Sequence, residues 1–229
     1  MGKGGFTGGV MAIELTKDII ERAFDAMGQM AAERGLVVEI AVYGGSCLIL
    51  ASDIRGTSGD VDAVFLREGR IVRQLADDVA RRLGLPPDWI NEAVTRTAPP
   101  IGNPEPNLLP FGEYPRTCTA PVGLRVFLPT PPYLLAMKIL ANRLVDDVEK
   151  IQLDLDDAVS LMRVTKISTR AALVAFMMEC YPNLPGLAGP ALNPRINAKL
   201  DALMDAYAQS NDAPDPAWHA GRGPATRPR

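Results

Sequence analysis

The sequence holds a single histidine, His219, set among the prolines and glycines of its last stretch. A Ser-His-Asp or Cys-His mechanism needs a positioned imidazole, and zinc sites draw on histidine or clustered cysteine. Hydrolysis by such a triad is therefore excluded, and so is an ordinary zinc centre. Cysteine is scarce too: Cys47, Cys118 and Cys180 stand far apart and odd in number. They make neither a disulfide framework nor a CxxC pair, which points to a reducing cytoplasm. No apolar run reaches the roughly 20 residues that a membrane helix needs; the best, Ala171 to Cys180, falls well short. Charge of one sign is also missing, since the formal net charge is only -3. That argues against a protein that coats nucleic acid at large, while a local basic groove stays open.

The opening M-G-K-G-G-F-T-G-G-V-M has no apolar core of a secretory signal, and Phe6 stands where a myristoylation pattern has Ser or Thr. Residues 1–10 read as a flexible leader, with Met11 as an alternative start. What is present is ordinary globular material: 47% apolar residues in 229 can bury the core of one or two domains.

In chain order, Leu15 to Arg34 predicts a helix. Ile19, Ile20, Phe24, Met27 and Met30/Ala31 recur at three- and four-residue spacing, with Thr16 as N-cap and Gly35 at the left-handed C-terminal position. Leu36 to Val42 predicts a buried strand, and Gly44-Gly45 breaks it before a short helix. This turn aims Ser46 and several backbone N–H groups past the strand end, a seat for phosphate; read blandly, Ser46 is an N-cap. Asp60 to Phe65 predicts the next strand. Its period of two puts Asp60 and Asp62 on one side: either a solvent-facing edge with two ordinary surface acids, or a buried pair whose carboxylates repel unless a cation lies between them. An oxygen-only ligand pair suits Mg²⁺ sharing a triphosphate.

Arg70 to Leu83 predicts an amphipathic helix with Ile71, Leu75, Val79 and Leu83 inward. Its arginines make either a nucleic-acid face or a solvated surface offset by Asp77 and Asp78. The prolines and glycines of Thr97 to Pro121 predict a long loop. Leu124 to Leu128 predicts a third strand, and Pro131-Pro132 leads into a helix from Tyr133 to about Val148. Lys138 in its apolar middle either snorkels to solvent or meets a phosphate. An acidic stretch, Asp146 to Asp157, runs into Ala158 to Met162. Further helices follow to Cys180, capped by Ser168, and from Pro194 to Tyr207. The organisation expected is a domain over 11–150, a helical part over 151–207 and a disordered tail over 208–229.

Gly44-Gly45-Ser46, a short helix, then Asp60-Val61-Asp62 resembles the signature of the nucleotidyltransferase superfamily related to polymerase beta. The downstream Y-L-L-A-M-K-I-L-A-N-R and L-D-L-D-D-A-V-S-L-M are similar to its AbiEii-type toxin and MenT-like branch of toxin–antitoxin systems. The resemblance implies an α/β (α+β) fold, a small mixed sheet flanked by helices, with a helical C-terminal part as the far wall of a cleft. It implies transfer of a nucleoside monophosphate from an NTP, onto RNA such as a tRNA 3′ end, with a cognate antitoxin as partner and no membrane. Carried over residue by residue, Gly44, Gly45, Ser46 and Lys138 bind the nucleotide, Asp60 and Asp62 hold Mg²⁺, and Asp154 or Asp157 assists the acceptor, with Asp154 preferred. Two departures stand out. Many members carry a third acid on the third strand, where this chain has Arg125, and Leu144 to Leu153 reads as an insertion. An inactive transferase fold that binds a partner, or a transferase for a small-molecule or protein hydroxyl, are the alternatives.

Overall fold

The computed structural model describes residues 13–96, 107–117, 119–140, 148–187, 192–210 and 215–219. Among them the chain builds a five-stranded mixed sheet, a two-stranded ribbon and seven α-helices. This is the α/β architecture expected.

The first helix, α1 (Lys17–Glu33), starts where Thr16 accepts a hydrogen bond from the Ile19 N–H and ends before Gly35 at φ +67°. Ile20, Ala23, Phe24, Met27 and Ala31 are its buried face. The chain then enters β2 (Val38–Val42), the middle strand, with four of five side chains buried. Strand β4 (Val61–Arg67) pairs with it antiparallel, and β7 (Leu124–Pro129) pairs with it parallel. Two further strands complete the order β5-β4-β2-β7-β6. The ribbon joins β1 (Leu15–Thr16) to β3 (Thr57–Ser58).

Neither outer strand follows from the sequence patterns. The stretch expected as a loop contains β6 (Leu108–Tyr114), antiparallel to β7, with an irregularity between Pro110 and Gly112. Proline and glycine are tolerated there because the strand lies at the sheet edge. On the other side β5 (Ile90–Asn91) runs parallel to β4 for two residues, anchored by Trp89, which is fully buried and donates its indole N–H to Ala76 O at 3.1 Å. Ala76 belongs to α3 (Gly69–Leu83), which packs beside α1 on the sheet. Its core face is Val72, Leu75, Ala76, Val79 and Ala80. The predicted row of fourth residues drifts off this face, leaving Ile71 and Leu83 at its margin, because 3.6 residues per turn favours a mixture of three- and four-residue steps.

The helix expected from Tyr133 is α4 (Pro131–Leu140); its predicted continuation through 141–147 lies outside the described residues. Three helices gather on α4 and one another: α5 (Val148–Thr165), α6 (Arg170–Cys180) and α7 (Pro194–Gln209). Thr169 rather than Ser168 caps α6, accepting from the Ala172 N–H, and Asn193 caps α7. Of the stretch expected as a tail, 215–219 lie back on the domain. Trp218 bridges Ser52, the His219 N–H donates to Ala51 O at 2.6 Å, and the imidazole Nε2 is 3.2 Å from Asp53. The expected leader, residues 1–10, lies outside the described residues, as do 11–12, 211–214 and 220–229. No helix among the described residues is long and apolar enough to cross a membrane.

Candidate functional site

The strand-to-helix turn after β2 places the first group of residues. Tyr43 holds the N-cap position of α2 (Gly44–Ala51) and offers no side-chain cap. Its N–H donates to Asp62 O at 2.8 Å. Gly44 follows at φ +63°, a left-handed conformation that costs an L-residue roughly 1–2 kcal/mol. A Cβ there would overlap Asp62 Oδ2, so the Asp62 carboxylate rests directly on the turn. The head of α2, with its positive dipole end, thus has an acid packed against it.

Ser46 is not the cap. It lies inside α2, only 1% exposed, and its hydroxyl donates to Asp60 O at 2.5 Å. Its side chain therefore braces the acidic segment. Asp60 falls one residue before β4, so strand alternation places Asp62 and does not place Asp60. Its carboxylate is oriented instead by Asn91, whose Nδ2 donates to Asp60 Oδ2 at 2.8 Å. Asn91 sits on β5 in register with Asp62, so the unforeseen edge strand serves both acids.

The second group comes from the helical part. Lys138 on α4 is 7% exposed, too buried to have snorkelled to solvent. Its ammonium lies 2.6 Å from Asp154 Oδ1 and 2.7 Å from Asp157 Oδ2. These two acids are three residues apart on α5 and so share a helix face. Lys138 also acts on Cys47 in α2: burial pushes that thiol up, with the lysine charge opposing it. Burial likewise raises the phenols of Tyr43 and Tyr133, the latter up to about 12.

Arg55, in the loop after α2, joins the two groups. Its Nε donates to Asp157 Oδ1 at 3.0 Å, while Nη1 lies where a Cβ on Gly45 would be. The contacts therefore run from Asp62 over Gly44 and Gly45 to Arg55, then Asp157, Lys138 and Asp154. Asp60 lies beside this chain of contacts, two residues from Asp62. Sequence reasoning missed Arg55 and Asn91. The signal for Arg55 was a lone arginine between the glycine turn and the acidic pair; Asn91 had none, because its two-residue strand carries no pattern.

Arg125 occupies the third-strand position and is held by Glu39 at 3.1 Å and Glu113 at 3.2 Å. His219 is placed with Asp53 at the far end of α2 from the glycines. Compared with family models, curated proteins and solved structures, the chain matches none of the three.

Proposed function

We propose that this protein is a Mg²⁺-dependent nucleotidyltransferase that moves a nucleoside monophosphate from an NTP to an acceptor hydroxyl. The observation that carries this reading is the Asp62 carboxylate seated on Gly44 at the head of α2, because it sets an oxygen ligand beside a helix N-terminus built to receive phosphate.

The donor set suits the metal. Mg²⁺ takes one or two carboxylates and completes its octahedron with phosphate and water. Asp60 and Asp62 offer that number. When bound, the ion neutralises charge on the reacting phosphates and lowers the barrier to attack. The remaining work falls to this chain. The first turn of α2 receives the phosphates, and Ser46 holds the acidic segment against it through Asp60 O. Asn91 fixes the Asp60 carboxylate. Asp154, held by Lys138, stands ready to take the acceptor proton. The acceptor oxygen bonds to the α-phosphorus, the bond to the β-phosphate breaks, and pyrophosphate leaves. Positioning and electrostatics supply most of such catalysis, so a chain without a site histidine is equipped for it.

RNA, a tRNA 3′ end in particular, is the acceptor this reading favours, with an antitoxin as partner. The test is incubation with each labelled NTP and Mg²⁺ against tRNA, total protein and small-molecule hydroxyls. Wild type should label one acceptor class, and Asp62→Asn should lower labelling at least a hundredfold with the fold retained. Equal labelling by the two proteins rules the site out. The missing third-strand acid, replaced by an Arg125 engaged with Glu39 and Glu113, supports a second reading, an inactive fold that binds a partner. An absence of thermal stabilisation by all four NTPs with Mg²⁺ favours that reading.

A further inference from the structure

Resting on the nucleotidyl-transfer reading, we infer that Arg55 is a triphosphate clamp that makes the site select nucleoside triphosphates over monophosphates. A guanidinium carries five N–H donors in a planar fork. Among the described residues only its Nε has an acceptor, Asp157 Oδ1 at 3.0 Å. The side chain is 13% exposed, so water reaches little of it. The edge carrying Nη1 is turned onto Gly45, with Ser58 Oγ beside it, 3.1 Å from the position a Cβ would take. A mostly buried cation with spare donors calls for an anion, and the turn it covers is a helix N-terminus that itself favours one.

The geometry divides the labour within the guanidinium. Asp157 is held on its other side by Lys138 and grips Nε, which fixes the plane of the fork. The two Nη groups are left to bind two oxygens at once, as arginine does on phosphates. Asp157 is thus a positioning residue. A side chain at Gly45 would displace the fork from this place. A nucleoside monophosphate has one phosphate for the turn, whereas a triphosphate has further oxygens that reach Arg55.

The experiment measures ATP and AMP binding to the full chain with Mg²⁺ by calorimetry, together with the melting temperature. The proteins compared are wild type, Arg55→Gln, Arg55→Lys and the double variant Arg55→Gln/Asp157→Asn, which leaves no unpaired acid. Wild type should prefer ATP. Arg55→Gln should weaken ATP by roughly ten- to a hundredfold, the worth of a charge-assisted pair, while AMP affinity changes less than threefold. Arg55→Lys, a point charge without the fork, should recover part of the loss. The double variant should regain melting temperature and still discriminate poorly. Unchanged ATP affinity in Arg55→Gln overturns the inference. So do equal losses of ATP and AMP affinity that the double variant restores, since these mark a purely structural arginine. A wild type that binds neither nucleotide sinks the nucleotidyl-transfer reading itself.

Discussion

Removing the ammonium of Lys138 takes away the cation that lies against both Asp154 and Asp157, two acids on one buried face of α5. Breaking a buried pair from one side costs about 3 kcal/mol or more. Lys138→Met should therefore lower the free energy of unfolding by about that amount, as read from denaturant titration. Adding Asp154→Asn to it should return part of the loss, because one buried charge then disappears. Gly44 behaves differently. Gly44→Ala carries the left-handed backbone penalty of about 1–2 kcal/mol and pushes the Asp62 carboxylate off the turn. Label transfer should fall far more than stability does; a variant that transfers label normally while losing stability would show that the acid has no part in the reaction. At this scale the sequence was informative wherever chemistry came as a cluster. The glycine turn, Asp62, Lys138 and the two α5 acids were all visible as types at spacings. Arg55 was not, because a single arginine in a loop looks the same whether it meets solvent or an opposing helix. Only the contact across 102 positions to Asp157 tells the two apart.

Between elements, α1 makes a very close approach to the end of β6. A Cβ on Gly28 would lie 2.7 Å from Pro115 N and closer still to the Tyr114 carbonyl, and backbone cannot step aside as a side chain can. Glycine costs helix propensity at this position, yet alanine costs more. Gly28→Ala should destabilise by about 2 kcal/mol through overpacking, with a lowered unfolding midpoint as the readout. The helices and the three inner strands were legible because their burial is periodic or continuous. The outer strands were not. Pro110 and Gly112 in β6 argue for a loop on local grounds and are overruled by pairing with β7. Thr97 to Pro121 thus mixes a real strand with residues whose composition is that of a turn. The N-cap of α2 shows the same limit: a serine beside two glycines suits a cap, but the helix starts two residues earlier and buries it.

Across the molecule, the buried thiols and phenols set a pH dependence. Burial pushes Cys180 up to about 12 and raises Cys47 further in the same direction, so both stay protonated in the folded state. The unfolded chain ionises near the ordinary thiol value of 8.5. Stability from these groups is complete below that value and is lost as pH rises from about 9 toward 12. Unfolding midpoints should fall between pH 8 and pH 10, and Cys180→Ala should flatten that decline. The same thiols should resist a thiol-modifying reagent until the protein unfolds.

The two borders of the main sheet have a consequence for crowded solutions. A bare strand edge is a template on which another chain can crystallise its own backbone, the first step toward fibrils. On one border β5 is two residues long, which gives a stranger little to grip. On the other, Pro110 withholds an N–H and the irregularity after it twists the line of carbonyls out of register. The residues that hid β6 from sequence reading therefore protect it from its neighbours. Pro110→Val should raise light scattering on prolonged concentration while the monomer's far-UV spectrum stays the same.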